Sequence, residues 1–219
     1  ATNATLSDFT GSGLSYSWTL TPSDQGDFSC AVEAGKFADA AGNSNSASGL
    51  LARTYDSIPP TAILTSHAPD PTNAAIVVAA TLSEAASGLT AEAVSATNAA
   101  VADFVGDGLS YSWTLIPSEQ GTFSCVIEAG KLSDAVGNKS AESNVVNRVY
   151  DSVRPTLMLA SSASDPTNAA ITVTATLSEP CEDFAAQDVT AANSAVSGFD
   201  GGGTSYSWIL TPKEQGSFS

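Results

Sequence analysis

Carboxylates recur at fixed positions along this chain and are the first candidates for chemistry. Asp39 returns as Asp134, Asp56 as Asp151, Asp70 as Asp165 and Glu84 as Glu179. Gathered carboxylate oxygens suit a hard cation, and calcium takes about six to eight such ligands. On a strand count that alternates direction, the Asp134 and Glu84 loops share the pole nearest the preceding linker. One junction then collects Asp56, Glu84, Asp134 and Asn138. The next collects Asp151 and Glu179. Residues of the Asp70 or Glu119 type would reach in from the neighbouring copy. These are the candidate calcium ligands. The same residues have a second reading, in which Asp-x-x-Gly-Asn and Asp-Pro-Thr-Asn are turn chemistry satisfying local backbone N–H groups. With no EF-hand spacing present, turn capping is the stronger reading and calcium the weaker.

Three cysteines follow. Cys30 and Cys125 are equivalent and fall on an inward-facing row, which reads as small apolar core. Cys181 aligns with Ala86. The position just past residue 219 aligns with Cys125, so Cys181 has a candidate disulfide partner there. Two sequons, Asn3-Ala-Thr5 and Asn138-Lys-Ser140, permit N-glycosylation of Asn3 and Asn138. Neither is kept in the sister copy (Asn98-Ala-Ala100 and Asn43-Ser-Asn45), so chance occurrence is favoured. Catalysis finds no support, since no nucleophile elbow, zinc-protease helix or phosphate loop is present. The one histidine, His67, stands where the next copy has Ser162. Seven Lys and Arg against 23 Asp and Glu give a net charge of -16 in 219 residues. That excludes a phosphate-binding basic face and disfavours an anionic membrane surface. No apolar run is long enough for a membrane-spanning helix.

The positioning elements come from an internal repeat. Tyr16, Tyr111 and Tyr206 are spaced by 95 residues, as are Trp18, Trp113 and Trp208, and Gly26, Gly121 and Gly216. Aligning 1–56 with 96–151 gives 34 identities without a gap. The linkers Ser57-Ile-Pro-Pro-Thr61 and Ser152-Val-Arg-Pro-Thr156 set the frame. Residues 57–151 are one whole repeat, 1–56 the C-terminal part of another, and 152–219 the N-terminal part of a third. The expectation is a window on a longer repetitive polypeptide. Within 57–151, Ile76, Val78, Ala80 and Leu82 alternate with Val77, Ala79 and Thr81, and Tyr111, Trp113 and Leu115 alternate with Ser and Thr. Phe123, Cys125 and Ile127 form a third inward row. Seven strands are predicted, near 61–66, 75–83, 89–96, 99–105, 109–116, 122–128 and 143–150. That pattern implies an all-β immunoglobulin-like sandwich with no helix.

The run Thr176–Phe184, the stretch YSWTLxPSxQG and the EAGKxxDAxGN signature at Glu33–Asn43 and Glu128–Asn138 resemble bacterial-type immunoglobulin-like repeats. The resemblance spans the chain and implies tandem β-sandwiches, arranged as a rod, in a large extracellular surface protein such as an adhesin stalk or flagellar-hair-like filament. It implies a non-catalytic structural role, with neighbouring repeats and other copies or filament components as partners. The alternative is an adhesive module that binds glycan or protein through its loops. No aromatic recurs on a predicted outer face, which favours scaffold over binder.

Overall fold

The computed structural model describes residues 1–219 as two compact units, Ala1–Asp151 and Ser152–Ser219. Its regular structure is all strand, apart from two single turns of 3-10 helix. The first part-repeat supplies β1 (Ala4–Ser12), β2 (Ser15–Pro22), β3 (Gly26–Cys30) and β4 (Leu51–Tyr55). These pair as two antiparallel ribbons, β1 with β2 and β3 with β4.

The whole repeat adds β5 (Ala62–Thr65), β6 (Ile76–Leu82), β7 (Val94–Thr97), β8 (Ala99–Asp107), β9 (Ser110–Pro117), β10 (Gly121–Ile127) and β11 (Val146–Tyr150). One sheet has the order β5-β6-β9-β8 and the other β11-β10-β7, all antiparallel. Period-two alternation puts one face of each strand on the core. In β6 the odd positions are open and the even ones closed, with Val77 63% exposed and Val78 fully buried. Trp113 and Leu115 on β9 pack with Phe123, Cys125 and Ile127 of the other sheet in one buried cluster. Phe104 stacks on Trp113 with ring centroids 5.8 Å apart. The inward rows expected from the sequence are the buried rows.

One predicted strand is corrected. Of the stretch 89–96, only Val94 onward is extended, while Ala91–Ala93 form a 3-10 turn. Ala and Glu have weak strand preference, and Gly88 at φ +98° redirects the chain just before them. The hairpin between β8 and β9 depends on Gly106 at φ +133°. A Cβ there would stand 2.4 Å from the Ser110 carbonyl oxygen.

In the first part-repeat the same aromatic row stands open. Phe9, Tyr16 and Trp18 stack on one another, yet Phe9 is 68% exposed. No strands among residues 1–56 occupy the place that β5 and β6 take in the whole repeat. The second unit contains β12 (Leu157–Ala160), β13 (Ile171–Cys181) and β14 (Ser194–Pro212) in that order across one sheet. Its core is Val173, Ala175, Leu177, Tyr206, Trp208 and Leu210.

The two faces of β6 give a direct test. Val78→Ala should lower the unfolding free energy by about 2 kcal/mol, through lost burial and a residual cavity. Val77→Ala should stay within about 0.5 kcal/mol. Equal effects in urea unfolding followed by circular dichroism would mean that the assigned faces are wrong.

Candidate functional site at the repeat junction

Asp134 opens the Asp-Ala-Val-Gly-Asn loop and folds it around its own carboxylate. Oδ1 accepts from the backbone N–H groups of Val136, Gly137 and Asn138 at 2.7–2.9 Å. Oδ2 accepts from Asn138 Nδ2 at 2.7 Å. Leu132, fully buried, anchors the loop to the core. The Glu84 loop is held against it by a two-way backbone pairing of Ser87 with Ser133. That approach requires Gly88, because a Cβ there would lie 2.5 Å from the Lys131 carbonyl oxygen. The linker arrives at the same place. Pro60 is buried, and Thr61 and Ser83 exchange hydrogen bonds beside Glu84.

These constraints bring Asp56, Glu84 and Asp134 together, each offering an oxygen within 4.8 Å of the others. No basic side chain forms an ion pair with any of them, and the pairs Lys36–Glu33 and Lys131–Glu128 lie elsewhere. Loss of water pushes the Glu84 carboxyl above the usual range, and the charges of Asp56 and Asp134 add to that. Desolvation also pushes Asp134 up, but its hydrogen bonds from Asn138, Gly137 and Val136 outweigh this and hold it below the ordinary value. The first part-repeat has the same loop without the cluster. There Asp39 accepts from Asn43 and Ala41, which hold its carboxyl low. Both readings of these aspartates therefore have a geometric basis, since Asp134 is a turn cap and a cluster member at once.

Asn138 joins the cluster through Asp134 and also donates to the Asp56 carbonyl at 3.2 Å. Asp151 closes the first unit, and Glu179 lies on β13 of the second. Asp70 is occupied elsewhere, accepting from Val149 N–H at 2.8 Å. The preceding repeat contributes Asp56 itself to the cluster. It also supplies Gln25, whose Nε2 donates to Asp56 Oδ1 at 2.9 Å. Sequence reasoning placed Gln25 in a turn; its recurrence at 120 and 215 was the available signal.

Both sequon asparagines use the nitrogen that a glycan would take. Asn3 Nδ2 donates to the carbonyls of Asp24 and Asp27. Asn98 and Asn193, which lack the sequon, make the same bridge to their own turns at positive φ. The asparagine therefore has a structural use that does not depend on the sequon. All three cysteines are free thiols. Burial pushes the Cys125 thiol up to about 11. Cys181 ends β13 opposite Gly203 and is half-buried. The partner position expected for it lies beyond residue 219. Two open apolar cavities of about 350 and 340 Å³ line the second unit's sheet, around Trp208 and Phe184.

Two measurements check this geometry. The raised Glu84 means that the folded chain holds a proton which the unfolded chain has released. Stability from this group is therefore lost as pH rises from about 4.3, the ordinary glutamate value, through the raised folded value. Asp134 has the opposite sign, and its contribution is lost as pH falls through its lowered value. Glu84→Gln should raise Tm at neutral pH and leave it unchanged in acid, below the ordinary glutamate value. A Tm shift independent of pH would mean that the three charges do not repel. Alkylation of the folded chain, read by mass spectrometry, should modify Cys181 first and spare Cys125. Early labelling of Cys125 would contradict its burial.

A family model described as bacterial Ig-like domain matches residues 56–150 and again residues 151–218. No curated protein and no solved structure matches the chain. The two consecutive matches cover most of its length, follow the repeat spacing and agree with the antiparallel two-sheet build of residues 57–151. The chain belongs to the bacterial Ig-like domain family, as tandem repeats of that domain.

Proposed function

We propose that this chain is a non-catalytic structural repeat region of a large extracellular protein, forming a stalk or the wall of a cell-surface filament. The observation that carries this reading is the Asp56–Pro60 junction. Successive repeats meet through a short segment whose polar groups are hydrogen-bonded to both of them. A chain of domains joined this way contacts only its neighbours and transmits length, as solenoid arrays do. The net charge of -16 favours solubility of neighbouring copies. Partners in this reading are adjacent repeats and other filament components.

A second reading adds a divalent cation at the Asp56, Glu84 and Asp134 cluster, favoured by three mutually close carboxylates with no basic partner. The donor set is all hard oxygen and fits calcium in kind. Glu84 is the member that accepts no hydrogen bond, whereas the Asp134 oxygens already accept four. Loss of water is the larger cause of the raised Glu84 carboxyl, and a bound cation would neutralise the smaller contribution from the charges of Asp56 and Asp134.

Small-angle scattering with excess calcium, and then with chelator, separates these readings. A long maximum dimension that survives chelation is expected. Contraction on chelation would replace that expectation with the cation reading. A compact profile in both conditions would overturn the stalk.

A further inference from the structure

We propose that Gln25 and Asn138 form an amide clamp on the linker Asp56–Ile58, fixing the angle between the repeat that ends at Asp56 and the one that begins at Ser57. The clamp goes beyond the stalk reading, because it assigns the rigidity of this junction to two uncharged side chains.

Gln25 sits in the Pro-Ser-x-Gln-Gly turn between β2 and β3. Its Oε1 accepts from Ser57 N–H at 2.7 Å and from Ser57 Oγ at 2.9 Å. Its Nε2 donates to Asp56 Oδ1, which also accepts from Ile58 N–H at 3.0 Å. From the other side, Asn138 Nδ2 donates to the Asp56 carbonyl, with the Ile58 carbonyl at 3.5 Å. Asn138 is in turn tied to Asp134, and Asp134 to the backbone of its loop. An unbroken hydrogen-bonded path therefore runs from a turn of one repeat, through the linker, to a core-anchored loop of the next.

The residue type matters. The site asks one side chain to accept twice and donate once, which an amide does without charge. A carboxylate at 25 would face Asp56 with no donor. A lysine would have no acceptor for Ser57. The Gln25 bonds to Ser57 and the Asn138 bond to the Asp56 carbonyl join neutral groups and are less sensitive to salt than exposed ion pairs, whereas the Gln25 bond to Asp56 Oδ1 is charge-assisted. Three members of the set recur one repeat later, with Gln25 returning as Gln120, Asp56 as Asp151 and Ser57 as Ser152, and Asn138 has its counterpart one repeat earlier in Asn43.

The test uses the 219-residue chain, free of divalent cations. Amide exchange by nuclear magnetic resonance reads Ser57 N–H directly. Residual dipolar couplings report whether β3 and β4 share one alignment frame with residues 57–151. Wild type is expected to show one frame. Gln25→Ala should speed Ser57 exchange at least tenfold and reduce the couplings of β3 and β4 relative to the whole repeat. Exchange in β6, β9 and β10 should not change. Asn138→Ala should also separate the frames, and since it can disturb its own loop, the exposed Gln25 variant decides. A single shared frame in Gln25→Ala would overturn the clamp and leave the junction to backbone and proline packing. The stalk reading would survive that result, because it fails only on a compact scattering profile.

Discussion

A sheet with one apolar face must have that face covered, and most of this structure follows from how the constraint is met or left open. In residues 57–151 the β9 row of Tyr111, Trp113 and Leu115 packs in one cluster with Phe123, Cys125 and Ile127 of the second sheet. Water is excluded, and nearly every inward side chain closes. In residues 1–56 the same alternation of residue types builds the same pairings, β1 with β2 and β3 with β4. Closely similar local sequence, 34 of 56 positions identical, therefore gives the same strands. Strand formation belongs to alternation and turn chemistry, while core formation belongs to the opposing layer.

The junction shows the same division between local and long-range causes. The Asp134 loop closes on itself using only its own residues, as the exposed Asp39 loop also does. Its carboxylate becomes part of a cluster only because the Ser87–Ser133 pairing and the Thr61–Ser83 pairing deliver Glu84 and the linker to it. The cluster works against the fold electrostatically. Three carboxylates without a cation repel, and the hydrogen bonds to Asp134 and Asp56 hold the arrangement against that repulsion. Glu84, which has no such bonds, holds its proton more tightly, first because it loses water and then because Asp56 and Asp134 are close.

Much of this was legible in the chain itself. The 95-residue spacing and the alternation in Ile76–Leu82 located the strands and their inner faces, because period two is imposed by the pleat. The turn before Val94 was not legible, since its Ala-Glu-Ala composition differs little from a weak edge strand. At the junction, Asp56, Glu84, Asp134 and Asn138 could be grouped from loop polarity alone. Gln25 could not, because its recurrence at 120 and 215 marks a repeated turn without saying what lies across a linker. The use of Asn3, Asn98 and Asn193 as turn staples was hidden for a related reason. Positive φ and a reach of more than twenty residues along the chain are properties of the folded path.

Placing an amide opposite an acidic cluster has a physical logic. Asp56 is pulled by two requirements, since Oδ1 organises the linker and its charge adds to the crowding around Glu84 and Asp134. A basic residue at position 25 would neutralise that charge, but would offer Ser57 no acceptor. Gln25 satisfies the linker and leaves the cluster's charge in place. The bonds from Ser57 to Gln25 and from Asn138 to the Asp56 carbonyl involve no charged group, so they hold the linker whether or not a cation is present. Rigidity and ionic response are carried by different atoms of the same few residues, which is why they can be separated by substituting one side chain at a time.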